Sequence, residues 1–227
     1  MQSAERSVVL LGTGGTIAGA AARAQDHVGY SPGALAVSEL VAAVAALNGL
    51  PMEAENLAAS TVATSTMPPW QLLARRAAWR LTRDEVAGVV VTHGTDTLEE
   101  TAYFLHRTVA AAKPLVLTAA MRLATALTAE GPQNLLDAVG AASERGVLAV
   151  LGGRLIGAVD LRKVQGYRLN AFDSGDAGAL ALLEDGRLRM FRDWVSSELH
   201  RADAQNIDTA RWPVVDIVSS HAGTVAQ

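Results

Sequence analysis

Two threonine-bearing turns carry most of the chemistry open to this chain. The first is Gly12-Thr13-Gly14-Gly15-Thr16-Ile17-Ala18-Gly19, and the second is His93-Gly94-Thr95-Asp96-Thr97. Each stands just beyond an apolar run, so each presents polar groups where a strand ends. A threonine hydroxyl is a poor nucleophile until another group takes its proton. Lys163, Tyr30 and Asp96 are the candidate partners, since a lysine beside a carboxylate polarises a nearby hydroxyl. Acyl transfer needs a hydroxyl, a proton acceptor and amide donors for the developing oxyanion. The threonines, their candidate partners and the flexible glycine loop supply all three types, although spacing alone does not bring them together.

Each turn also has an ordinary reading. A strand-to-helix connection needs glycine for tight geometry and threonine or aspartate as a cap. Asp96 with Glu99, and Thr97 with Glu100, have the spacing of a capping box. The presence of two similar turns shifts the balance towards chemistry. A nucleotide-binding reading of the first loop fails in detail. The third position of a dinucleotide fingerprint falls on Ile17, and no P-loop lysine follows. His93 is expected to be packed or capping rather than a base.

The elements that must position these turns follow from periodicity. Ser7 to Leu11, Val89 to Val91, Pro114 to Thr118 and Val147 to Leu151 are compact apolar runs that predict buried strands. Met52 to Ser60 holds a weaker one. Helical spacing marks Val37 to Leu47, Pro69 to Arg83, the segment from Thr97 and Pro132 to Glu144. Residues 20 to 36 read as a long loop, a length often tied to function. Strand and helix alternate to residue 151, the pattern of a parallel sheet covered on both faces. Beyond it, Ala181 to Leu183 and Leu188 to Phe191 flank a hairpin turn at Glu184-Asp185-Gly186. Residues 192 to 211 read as a linker, and Val214 to Ser219 resembles the first strand of a new unit.

Composition narrows the class. Of 227 residues, 50% are hydrophobic, enough for a sizeable core, and the net charge is −4 without a basic cluster. Nucleic acid is therefore not an expected partner. No apolar run reaches membrane-spanning length, so no membrane partner is expected. The chain has no cysteine, which removes disulfides, thiolate metal sites and a cysteine nucleophile. No spacing suggests a metal or another cofactor. Residues 1 to 6 lack the features of a secretory signal. A cytoplasmic location is expected, or a periplasmic one if a leader has been removed.

On these residues the chain resembles the bacterial-type L-asparaginase and asparaginase-glutaminase family. Thr13-Gly14-Gly15-Thr16-Ile17-Ala18 matches its first signature. His93-Gly94-Thr95-Asp96-Thr97, followed by Glu99-Glu100-Thr101, matches its second. Leu117 to Met121 with Arg122, Gly131-Pro132 with Asn134-Leu135, and Asp160 with Lys163 ahead of Ala171-Phe172 add support. The resemblance implies an α/β three-layer sandwich with a mostly parallel, Rossmann-like sheet. It implies hydrolysis of L-asparagine to L-aspartate and ammonia through an acyl-enzyme. Thr16 aligns with the nucleophile, Tyr30 with the lid tyrosine, and Thr95, Asp96 and Lys163 with a second catalytic cluster. Asp96 would hold the substrate ammonium. Thr64 and Ser65 align with substrate-binding positions, Gly94 falls in the same binding turn, and Ala120 aligns with a residue whose carbonyl meets the substrate amide.

The resemblance places the catalytic domain at residues 1–191, a linker at 192–212 and a first-strand remnant of a C-terminal domain at 213–227. In the family that second domain supplies a glutamate to a neighbouring subunit, so a homo-oligomer is expected for a full-length form. Without that domain, low activity or none is expected. Thr66 replaces an acid, Leu123 a proline, and Val164-Gln165-Gly166-Tyr167 a threonine-rich run. Rival readings are a glutaminase-type or other amidase and a non-catalytic amino-acid-binding domain. Unchanged ligand binding after Thr16→Ala would favour the last.

Overall fold

The computed structural model describes residues 6–23, 31–57, 68–110, 112–194 and 212–215. An eight-stranded sheet forms its centre. In chain order the strands are β1 (Ser7–Gly12), β2 (Met52–Asn56), β3 (Val86–Thr92), β4 (Leu115–Thr118), β5 (Val147–Leu151) and β6 (Arg154–Gly157). Two-residue strands β7 (Arg162–Lys163) and β8 (Phe172–Asp173) make a separate antiparallel ribbon. Strands β9 (Ala181–Glu184) and β10 (Arg187–Met190) return to the main sheet. The helices are α1 (Val37–Ala42), α2 (Pro68–Leu81), α3 (Leu98–Thr108) and α4 (Gly131–Gly140).

The sheet order is β10-β9-β6-β5-β4-β3-β1-β2, with β2, β1, β3, β4 and β5 parallel and the remaining pairs antiparallel. Composition explains the placement. Strands β3, β4 and β5 are almost wholly buried and built from Val, Leu and Ala, as strands covered on both faces must be. The two edges are charged instead: β2 is Met-Glu-Ala-Glu-Asn and β10 is Arg-Leu-Arg-Met, which discourages further strand pairing. Glu55 of β2 takes a paired hydrogen bond from Arg76 at 2.7 and 2.9 Å, and Arg80 reaches Glu53 and Glu55 at 2.6 and 2.8 Å. Burial alone would raise the Glu55 pKa, but the two guanidiniums outweigh it and hold it low.

The period of two along each strand divides the core. Val9, Leu11, Val89, Val91, Leu115 and Leu117 pack beneath α2 and α3. Leu10, Val90, Val116, Leu148 and Val150 pack beneath α1 and α4. The result is a three-layer α/β sandwich. The β3–α3–β4 and β4–α4–β5 connections advance the same way across the sheet but lie on opposite faces, so they have opposite hands. One of them breaks the usual right-handed rule. In consequence, the chain leaving β4 must cross the C-terminal edge of the sheet to reach α4.

The helix expected over Val37 to Leu47 is interrupted. It ends at Ala42, Val44 is extended, and a 3-10 turn covers Ala45–Leu47. The helix expected over Pro132 to Glu144 begins at Gly131 and gives way after Gly140 to a 3-10 turn, Ala141–Ser143. The hairpin turn is as expected, with Asp185 and Gly186 at φ 49° and 73°, the pair of positive values a tight two-residue hairpin requires. Residues 192–194, at the start of the stretch read as a linker, pack onto this body. Arg192 donates to Asp160 at 2.7 Å and to the Gly178 carbonyl at 2.8 Å. Trp194 lies over Gly146. Trp212 meets Phe104 edge-on at 5.8 Å, and Val214 and Val215 are exposed and pair with no strand among the described residues. Residues 216–219 of the expected last strand lie outside the described residues.

Candidate active site

The parallel strands create the site by diverging. From β1 the chain moves one way to β2, while β3 on the other flank continues the opposite way. Connections therefore leave the C-terminal ends of β1 and β3 in opposite directions and open a crevice, the usual ligand position in such sheets. The threonine loop follows β1, and the His93–Thr97 turn follows β3.

Glycine lets the two loops meet. At Gly15, φ is 84° and ψ −176°, a region open essentially to glycine alone. A Cβ there would stand 2.4 Å from both the Cα and N of Gly94 and 2.8 Å from the His93 carbonyl carbon. The loops thus touch backbone to backbone, and Thr16 and Thr95 line one cleft of about 180 Å³. Asp96, Met121, Arg122, Leu123, Lys163, Gly166 and Tyr167 line it too.

Lys163 enters from the β7–β8 ribbon. Its Nζ donates to Thr95 Oγ1 at 3.1 Å and to Asp96 Oδ1 at 3.0 Å. The lysine side chain is largely covered (19% exposed), whereas that of Asp96 is 75% exposed to the cleft. A charged Nζ donating to Thr95 Oγ1 leaves that hydroxyl's own proton to turn into the cleft. Asp96 keeps acceptor capacity for a cation, because a carboxylate offers about four lone-pair sites. The arrangement can relay a proton and hold a positive group side by side.

The third wall is the loop that crosses from β4 to α4. Ala124 N donates to the Gly19 carbonyl at 3.1 Å, and Ala21 N donates to Thr125 Oγ1 at 3.2 Å, bracing this wall on the first loop. Glu130 Oε1 accepts from the Met121 amide and, at 3.3 Å, from the Arg122 amide. Asn134 ties the strand ends below, donating to the Ala119 carbonyl and accepting from Gly152 N, both at 3.0 Å.

The remaining expected residues divide by position. Thr13 faces away from chemistry, because its hydroxyl donates to the Thr92 carbonyl at 2.9 Å. His93 is fully buried. Its Nδ1 meets the Gly94 carbonyl at 2.8 Å and its Nε2 meets the Thr101 hydroxyl at 3.2 Å, so a neutral ring with the proton on Nδ1 satisfies both. Burial lowers its pKa, with the Gly94 hydrogen bond opposing. Ala120 is buried behind the wall formed by Met121 to Leu123. Gly94 lies backbone to backbone against Gly15 and does not itself line the cleft. Tyr30, Thr64 and Ser65 lie outside the described residues. Ala20 and Ser31 exchange paired backbone hydrogen bonds at 3.2 and 3.1 Å.

The capping boxes expected at Asp96/Glu99 and Thr97/Glu100 are absent. Helix α3 begins after Thr97 with no side-chain capping hydrogen bond. Asp96 is committed to Lys163, and Glu99 accepts from the Lys163 amide instead. Spacing does not reveal Tyr167, Arg122, Glu99 or Glu130 as parts of the site, because each arrives through long-range packing. Among the described residues no group of three or more His, Cys, Asp or Glu side chains is placed to hold a metal ion. No helix there is long and apolar enough to cross a membrane.

Comparison with known proteins gives consistent matches. Residues 7–196 match the family model described as asparaginase, N-terminal. The chain is 35% identical over 225 residues to probable L-asparaginase 4 of Schizosaccharomyces pombe (strain 972 / ATCC 24843), covering 96% of this chain and 62% of that protein. It is 37% identical over 223 residues to the glutaminase-asparaginase of Acinetobacter glutaminasificans, covering 94% and 67%. The crystal structure of a probable cytoplasmic L-asparaginase from Campylobacter jejuni superposes with a TM-score of 0.80 at 34% identity, covering 87% of this chain and 62% of that one. The chain thus spans about 62% of the length of several relatives it matches.

Proposed function

The chain belongs to the asparaginase family, matched through the N-terminal domain, and we propose that it hydrolyses the side-chain amide of L-asparagine to L-aspartate and ammonia. One observation carries the proposal: Lys163 Nζ joins Thr95 and Asp96 in the cleft that Thr16 also lines. Thr16 Oγ attacks the amide carbon, assisted by Tyr30, and the amide nitrogen leaves as ammonia after taking a proton. Water then attacks the resulting ester, and its proton returns the Thr16 hydroxyl as aspartate departs. Thr95 and Lys163 organise protons in both steps. Asp96 binds the substrate ammonium, with Thr64, Ser65, Gly94 and the Ala120 carbonyl completing the substrate contacts.

The test is ammonia release from L-asparagine together with mass spectrometry of the protein during turnover. The expected result is an aspartyl adduct on the peptide containing Thr16, lost in Thr16→Ala. Turnover without dependence on Thr16 would sink the mechanism. A second reading, glutamine as a substrate, is favoured by the relative named glutaminase-asparaginase. Comparing kcat/KM for the two amides decides between them. We also assign the protein to the cytoplasm and to a homo-oligomer, dimer or tetramer, with solution mass as the check on assembly.

A further inference from the structure

Glu99 and Glu100 follow the second turn, the proposed chemistry uses neither, and Glu99 reaches back to the ribbon that carries Lys163. Glu99 lies in the first turn of α3, three residues beyond Asp96, and is half-buried. Its Oε2 accepts a hydrogen bond from the backbone amide of Lys163, across 64 positions of sequence. The ribbon explains why that amide is available. In an antiparallel pair, alternate residues turn their N–H groups towards the partner strand. The amide of Val164 points inward to the Ala171 carbonyl at 2.8 Å. The Lys163 amide therefore points outward, where no strand of the described residues lies, and a two-residue ribbon has little pairing of its own to hold it.

Lys163 is consequently clamped twice to a single element. Its backbone is held by Glu99, and its Nζ is held by Thr95 and Asp96, all within the turn and first helical turn that follow β3. A lysine side chain has four rotatable carbons and spreads over many conformers when only one end is fixed. Fixing both ends leaves few. We propose that Glu99 is a positioning residue that sets Lys163 against Thr95 and Asp96 by anchoring the Lys163 backbone amide. For catalysis this rests on the amidohydrolase reading above, but the positioning itself does not.

The chain has two lysines, Lys113 and Lys163, so amine labelling gives a direct readout with an internal reference. The protein is treated briefly with an acetylating reagent, and the ratio of Lys163 to Lys113 modification is read by peptide mass spectrometry. Losing a hydrogen bond to a charged group changes populations about tenfold or more, so Glu99→Ala is expected to raise that ratio about tenfold. Glu99→Gln keeps an acceptor oxygen and is expected to stay within about twofold of the parent ratio, which a purely electrostatic role would not allow. In turnover assays, Glu99→Ala lowers kcat about tenfold with KM nearly unchanged, and Glu99→Gln restores most of it. If Glu99→Ala fails to fold, the parent protein still decides the matter. The Lys163 amide must be protected from hydrogen–deuterium exchange, which an outward-facing amide without an acceptor would not be. A labelling ratio unchanged in Glu99→Ala, or a Lys163 amide that exchanges as fast as an unbonded one, overturns the proposal. If the parent hydrolyses neither amide while the labelling ratio responds, the amidohydrolase reading fails and the positioning role stands.

Discussion

Replacing Gly15 with alanine tests how the candidate site is assembled, because that glycine is where the two threonine-bearing loops touch. Two costs can be separated. At φ 84° and ψ −176°, a non-glycine residue is strained by about 1–3 kcal/mol. The added methyl would also lie 2.4 Å from Gly94 Cα and N. Backbone cannot rotate aside as a side chain can, so overpacking adds about 1–3 kcal/mol. Gly178 isolates the first cost. Its φ of 70° and ψ of 170° fall in the same region, yet nothing lies within 4 Å of its Cβ position. Urea denaturation should therefore show Gly178→Ala losing about 1–3 kcal/mol, with Gly15→Ala losing about 1–3 kcal/mol more. If Gly15→Ala relieves the clash by parting the loops, part of that second loss moves into activity. Displacing reacting groups by about 1 Å costs on the order of a hundredfold in rate. Gly15→Ala matching Gly178→Ala in both stability and ammonia release would refute the claim that this contact builds the site.

Three further outcomes follow from individual groups. Thr95→Val removes the hydroxyl that Lys163 meets while keeping a similar shape, so kcat for ammonia release should fall by about 10²–10⁴ without loss of the folded state. His93 is buried with a lowered pKa, so the unfolded chain takes up its proton first and stability falls as pH drops below about 6.5. His93→Gln should reduce that acid sensitivity in melting curves taken between neutral and mildly acidic pH. Asp137 is also buried, and burial raises its pKa against the opposing Gln133 hydrogen bond. A raised folded pKa means stability present below the unfolded value and lost as pH rises through the folded one. Asp137→Asn keeps an acceptor for Gln133, which donates at 2.8 Å. It should raise the melting temperature at pH 7, with the gain vanishing as pH falls towards about 3.9.

Much of the framework was legible in the residues because it rests on short-range rules. Val89-Val90-Val91, Leu115 to Thr118 and Val147 to Leu151 are apolar on both faces and become the central parallel strands. The charged strand Met52–Asn56 becomes an edge. The break in the Val37 helix and the opposite hand of the α4 crossover were not legible. Both depend on how distant segments share the two faces of the sheet. The same local logic misread Glu99, since helix-start spacing favours a capping box until a ribbon many residues away offers its amide.

By itself, the sequence determined which groups exist for chemistry: two threonine turns, Asp96, one lysine in the right context, and glycines where side chains would intrude. Residue type and nearest-neighbour spacing are enough for that. The tertiary structure decided which of those groups meet. It turned Thr13 inward to the Thr92 carbonyl, left Thr16 on the cleft, and brought Lys163 within 3.1 Å of Thr95. Those distances come from strand order, loop crossing and backbone contact at Gly15. They depend on chain closure over long separations, which no local pattern encodes.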